Sequence, residues 1–175
     1  MLVSSSKEVK KISMAKAFIG IGSNVDRDHN IGSGINQLAE IDSNLIVSTV
    51  YESKAYGFTG DNFYNLAVGL DTRLPALELN SLLREIEDKH GRLRNIPRFS
   101  SRNLDLDLLI YDDLVRHDNE LDVPRQDIIS YAFVLKPLAE IAAEYIHPES
   151  GLKIGKIWES FNKSEQDLWP VTLST

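Results

Sequence analysis

The sequence predicts an α+β domain, because strand-like and helix-like segments alternate along a chain that no composition break divides. Three observations carry this reading. Alternating or β-branched runs occur at residues 17–23, 45–52, 63–72 and 104–111, and apolar residues recur at helical spacing over 30–41 and 75–90. The chain has 175 residues, 42% hydrophobic and 26% charged, a size and balance that suit one domain with its own core.

Each element follows from its residues. AFIGIGS at 17–23 is a short buried strand that stops at Gly22-Ser23-Asn24, a loop signal. Over 30–41, Ile31, Ile35, Leu38 and Ala39 share one helical face. LIVSTVYE at 45–52 and FYNLAVGLDT at 63–72 are rich in β-branched and aromatic residues, hence strands. AYGFTGD between them is long for a tight hairpin and reads as a functional loop. Pro75 opens a helix whose stripe is Leu79, Leu82, Leu83 and Ile86, and Gly91 ends it. LDLDLLIY at 104–111 alternates as a strand, with Leu104, Leu106, Leu108 and Ile110 on one face and Asp105 and Asp107 on the other.

This β-α-β-β-α-β order is that of a ferredoxin-like split βαβ sheet with both helices on one face, which leaves the other face free for a ligand. Helical patterns over 128–144 and 154–161 add C-terminal helices, expected at the sheet's end. Residues 1–16 read as a flexible polar N-terminal extension, so that 17–175 form the single domain.

Composition excludes several chemistries. There is no Cys, and His29, His90, His117 and His147 show no ligand spacing, so thiolate and histidine zinc sites are not expected. A secretory leader and a membrane-spanning run are both missing from the pattern, and a soluble cytoplasmic protein is the default expectation. The net charge of −7 argues against nucleic acid or anionic membrane as partner, and no obligate protein partner is evident.

That average hides a split. Residues 89–102 hold Lys89, Arg92, Arg94, Arg98 and Arg102 with no acid, while residues 103–122 hold seven acids and one Arg. Two same-face carboxylates at i and i+2 have backbones about 6.5–7 Å apart and can converge on a cation, where Mg²⁺ resolves their repulsion. Guanidiniums next to them can pair with phosphate oxygens. The plainer alternatives are an edge strand facing water and a solvated basic loop; the acid-free run directly before the acidic strand favours a polyphosphate site. Neither Walker A nor a dinucleotide fingerprint is present, and GIGSN at 20–24 reads as close packing and a turn.

FIGIGSN (18–24), STVYES (48–53), FYNLAV (63–68), EIEDKHGRLR (85–94), RFSSRNLDLDLLIYDD (98–113) and VPRQDIISYAFVLKPLAEIA (123–142) occur in this order. Together they resemble the 6-hydroxymethyl-7,8-dihydropterin pyrophosphokinase family, over about residues 17–145. The resemblance implies Mg-dependent transfer of the β,γ-diphosphate of ATP to a pterin alcohol, with release of AMP, in folate biosynthesis. It implies two Mg²⁺ ions on Asp105 and Asp107, and catalytic-loop arginines at Arg92 and Arg102. Glu87, Arg92, Arg94, Arg102 and Leu108 fall on ATP-binding positions. Ser53, Tyr56, Phe63, Asn65, Phe99 and Phe133 fall on the pterin pocket. An amide such as Asn65 can read a pterin edge, and aromatics can stack on its faces; core packing is the competing reading for Phe63 and Phe133. The chain departs from the family pattern at Phe99-Ser100-Ser101, where Trp-Gly-Pro is usual, and at Asp122, Arg125 and Tyr131 in the nucleotide-binding stretch. These departures keep open a pterin- or nucleotide-binding paralogue without diphosphate transfer; an RNA-binding ferredoxin-like module is the other alternative.

Overall fold

The computed structural model describes residues 13–174 apart from residues 93, 96 and 98. The expected extension therefore lies largely outside the described residues, as does Arg98. The first strand, β1 (Ala15–Ser23), starts two residues before the expected boundary, because Ala15 and Lys16 already pair with Thr72 and Asp71.

After β1 come α1 (Arg27–Ala39), β2 (Ile46–Val47), β3 (Val50–Ser53), β4 (Phe63–Thr72), α2 (Ala76–Lys89) and β5 (Asp105–Tyr111). The expected strand at 45–52 is split in two. Thr49 turns its N–H and hydroxyl to Glu140 Oε1 at 2.9 and 2.7 Å, and Ser48 Oγ accepts the Ala67 N–H at 2.9 Å, so the strand is interrupted at Ser48 and Thr49. A hairpin of β6 (Arg116–His117) and β7 (Asp122–Val123) follows, then α3 (Asp127–Ser130), α4 (Ala132–Ala142), α5 (Ile154–Ser160) and β8 (Leu168–Val171). The helix expected over 128–144 breaks at Tyr131, whose backbone is extended.

The main sheet runs β5-β1-β4-β3-β8, antiparallel throughout, with β2 also on β4. Its first four strands have the order a split βαβ fold requires. The fifth, β8, was not anticipated; it pairs with β3 from Val50–Val171 to Ser53–Leu168. Helices α1 and α2 cover one face. Their Ile31, Leu38, Leu79, Leu83 and Ile86 pack on Ile19, Ile21, Leu66, Val68, Leu106 and Leu108.

The second face is not free along its whole length, contrary to the sequence expectation, and the C-terminal helices do not sit at the sheet's end. α4 and α5 lie on this face, packing Leu135, Leu138, Ala142, Ile154 and Ile157 on Phe18, Ala67, Leu109 and Ile110. The apolar side of α4 has to be buried somewhere, and half of the sheet face is apolar enough to receive it. Ile110 also departs from the expected alternation. Ile19 pairs with Leu108 but Phe18 with Ile110, so Leu109 is an extra residue that throws Ile110 onto the α4 side. Among the described residues, no helix is long and apolar enough to cross a membrane.

The turn from α4 to α5 is organised by His147, which is buried, with Nδ1 accepting the N–H groups of Glu149 at 3.3 Å and Ser150 at 3.2 Å. Acceptance at Nδ1 requires a neutral ring. Burial pulls its pKa below 6.5, opposed by the Glu149 charge. The unfolded chain thus takes up this proton first, and the stabilising contribution, complete above about pH 6.5, is lost as pH falls through the depressed native value.

Two predictions concern this scaffold. Leu83→Ala, which empties a fully buried position, lowers unfolding stability by about 2–5 kcal/mol in urea titrations. In His147→Asn the amide oxygen replaces the Nδ1 acceptor without titrating. The stability gap between wild type and this variant, read by thermal unfolding, shrinks as pH is lowered from 7.5 to 5.5 (about one unit either side of 6.5).

Candidate active site

The part of the second face that α4 leaves uncovered is the floor of a cleft of about 620 Å³. Gly22 of β1, Ser53 of β3, Phe63 and Asn65 of β4, and Asp105 and Asp107 of β5 line it. A Cβ at Gly22 would stand 3.3 Å from Asn65 Oδ1, so a side chain there would press on this amide. Asn65 Nδ2 donates to Ser53 Oγ at 3.0 Å, both residues being buried, which fixes the plane of the amide. The walls are loop 54–62, the basic loop after α2, the β6–β7 hairpin, and the stretch from Arg125 to Phe133.

One end of the cleft is aromatic. Tyr131 and Phe133 stack with centroids 5.1 Å apart and planes 14° apart. Tyr56 meets Tyr131 edge-on at 5.0 Å and Phe99 at 5.5 Å, so rings from three chain segments form one apolar slot. The Phe99 ring also approaches Gly57, whose φ of 77° favours glycine and whose added Cβ would lie 3.2 Å from the ring. Ser100 Oγ donates to Pro97 O at 2.7 Å.

The other end is charged. Asp105 accepts a hydrogen bond from Arg92 Nη1, which also reaches Glu87 Oε1 at 2.8 Å. Asp107 Oδ1 lies 3.4 Å from Arg125 Nη1. Arg125 is itself fixed at three points, donating Nε and Nη2 to Asp127 Oδ2 at 3.0 and 2.6 Å, and its N–H to Leu109 O at 2.9 Å. The extra residue of β5 thus supplies the carbonyl that anchors Arg125. Desolvation raises the Asp107 pKa, the Asp105 charge raises it further, and Arg125 opposes both. Glu87 is buried between α2 and β5, its Oε1 accepting the Leu106 N–H at 2.8 Å. Burial pushes its carboxyl up to about 8, against the pull of Leu106 N–H and with a further push from Asp105.

Asp105 and Asp107 suit a hard divalent cation: two carboxylates on one strand face, with a charge conflict that a cation relieves. Among the described residues no group of three or more His, Asp or Glu side chains forms a complete cage. Such an ion would take its remaining ligands from water and from a ligand's own oxygens, as Mg²⁺ commonly does with phosphates.

All thirteen positions expected to form the site line this one cleft. Phe63 and Phe133 are half-buried in its lining and belong to neither packed core. Two expectations need correction. The Leu108 side chain points into the α1/α2 core, since it lies in phase with Leu106, which leaves only its main chain for the cleft. Glu87 turns its carboxyl inward to β5 and Arg92, so it organises the wall from behind. Arg94 lies along α2, with Nη2 donating to Arg84 O at 3.0 Å and Asp88 Oδ1 at 2.6 Å. Asp127, Lys54 and Phe58 also line the cleft and were not anticipated. Arg125 and Tyr131 stood out in the sequence only as departures, with no local pattern to show that one meets Asp107 and the other closes the aromatic slot.

The family described as 7,8-dihydro-6-hydroxymethylpterin-pyrophosphokinase (HPPK) matches residues 18–143. The chain belongs to this family. A 2-amino-4-hydroxy-6-hydroxymethyldihydropteridine pyrophosphokinase of Aquifex aeolicus is 37% identical over 137 residues, 77% of this chain and 85% of the relative. Its counterpart in Synechocystis is 34% identical over 158 residues, 89% of this chain and 80% of the relative. Among solved structures, an HPPK-DHPS protein of Plasmodium falciparum superposes with a TM-score of 0.66 at 13% identity, over 86% of this chain and 45% of that longer one. That likeness bears on the fold alone, a ferredoxin-like arrangement shared over the matched part.

Proposed function

We propose that this HPPK-family chain transfers the β,γ-diphosphate of ATP to 6-hydroxymethyl-7,8-dihydropterin, releasing AMP, as a cytoplasmic step of folate biosynthesis. The observation that carries the reading is the continuity of the cleft, in which an aromatic slot with a fixed amide opens directly onto a carboxylate pair flanked by guanidiniums.

In this reading Asn65, oriented by Ser53, presents a donor and an acceptor to the amide-like edge of the pterin, while Tyr56, Phe63, Phe99 and Phe133 enclose its faces. The slot thereby directs the hydroxymethyl oxygen toward Asp105 and Asp107. Two Mg²⁺ ions held by these aspartates would supply charge neutralisation and Lewis acidity at the phosphate oxygens. Arg92 and Arg102 pair with the phosphates and stabilise the charge of the displaced AMP. Closure of their loop, which also carries Phe99, excludes water from the attacking position. Most of the rate enhancement then comes from positioning and charge stabilisation, since diphosphate transfer needs little covalent help from a protein.

An RNA-binding role fits this face poorly, because its centre is a carboxylate pair and not a basic surface.

Purified protein incubated with ATP, Mg²⁺ and the pterin alcohol yields AMP, resolved by chromatography; ADP would indicate a simple kinase, and unchanged ATP would overturn the assignment. Asp105→Asn lowers kcat by about two orders of magnitude or more, and Arg92→Ala lowers kcat more than it raises the KM for ATP.

A further inference from the structure

The last residue of the Gly-Ile-Gly-Ser-Asn run that closes β1 is built into two walls of the cleft. Asn24 is 3% exposed. Its N–H donates to Arg102 O at 3.1 Å, and its Oδ1 accepts the Arg102 N–H at 2.7 Å. Its Nδ2 donates to Asp61 O at 3.2 Å and to Ser101 Oγ at 3.4 Å. One residue thus holds both main-chain polar groups of Arg102, the carbonyl through its own N–H and the N–H through its side chain, and the same side chain reaches the end of loop 54–62.

The chemistry is specific to asparagine. The site asks for one acceptor and two donors on a two-atom reach, a set that aspartate, serine and alanine cannot provide. Ser23 and Asp26 shape the turn that presents it, through a 3.0 Å bond from Ser23 Oγ to Val25 O and a left-handed backbone at Asp26. The basic loop has a second clamp at its base, where Asn103 Nδ2 donates to His90 O at 2.8 Å. That clamp joins the loop's ends to each other, whereas Asn24 joins the loop to the sheet and to the opposite wall of the cleft.

We propose that Asn24 is a positioning residue for diphosphate transfer: it fixes the point from which the Arg102 side chain reaches, and ties that point to the loop carrying Tyr56. Closure around the pterin and placement of the guanidinium become one event. The proposal rests on the assignment of Arg102 to the phosphates made above.

The test uses the full chain with Asn24→Ala and the isosteric Asn24→Asp, measuring steady-state kinetics and amide hydrogen exchange at Arg102 by NMR. In Asn24→Ala, kcat falls about ten- to a hundredfold while the KM for ATP moves less than about threefold, as expected when geometry and not affinity is lost. The Arg102 amide exchanges at least about tenfold faster, and amides of the α2 core are unchanged. Asn24→Asp keeps the acceptor and hence the Arg102 protection, but loses the donor to Asp61. Adding pterin alone slows Arg102 exchange in wild type and leaves it unchanged in this variant. Wild-type kcat in Asn24→Ala, or Arg102 protection untouched by it, overturns the proposal. If Asn24→Ala does not fold, an Asn24→Asp variant that responds to pterin like wild type overturns it. Failure of wild type to release AMP would overturn the function assigned above, while the exchange measurements still decide the role of Asn24.

Discussion

Two like charges side by side on one strand are the constraint around which the rest of this molecule is arranged. At about 6.5 Å and an effective dielectric near 20, two carboxylates repel by roughly 2–3 kcal/mol, a sizeable fraction of the roughly 5–15 kcal/mol by which a domain is stable. The fold answers from two directions. Arg92, just past the end of α2, meets Asp105, and Arg125, anchored on the irregular carbonyl of β5, meets Asp107. Glu87 holds the first guanidinium from behind and Asp127 holds the second.

This arrangement explains why the second face of the sheet is shared. Had α4 covered the whole of it, the carboxylates would be buried without solvent or ligand, a cost several times the gain from extra apolar packing. Left wholly open, the face would expose Phe18, Leu109 and Ile110 and leave α4 no surface on which to bury its apolar side. The division between packed half and polar half creates the cleft, and the loops at the strand ends roof it. The aromatic slot and the charged end are neighbours because Asn65 and Asp105 flank Gly22 on adjacent strands.

What could be read from the sequence was whatever is encoded locally. Strand β4 was legible to the residue from its β-branched and aromatic content, and α2 from Pro75, its leucine stripe and Gly91. The ordering of basic and acidic runs pointed to the phosphate end. The unread features depend on residues far apart in the chain. The break between β2 and β3 exists because Thr49 finds Glu140, 91 positions away. The strand β8 has meaning only beside β3. Arg125 becomes a partner of Asp107 only after β5 gains its extra residue, and Glu87 changes from ligand candidate to internal brace only when the Leu106 N–H is found on it. Asn24 was visible as a turn residue, but not as the tie between two loops.

Leu109 divides β5 into two reading phases. Before it, odd-numbered residues face the cleft; after it, Ile110 takes that side, and Tyr111 returns to the α1/α2 side, where its hydroxyl donates to Leu74 O. One face of one strand therefore serves two masters whose spacing rules do not agree, and the single inserted residue lets each keep its own. Substitutions that tune the fit of α4 can accumulate beyond Leu109 without rotating the aspartates, and changes around the aspartates leave the packing of α4 in place. A relative that lost or gained one residue between Asp107 and Tyr111 would have to surrender one phase or the other.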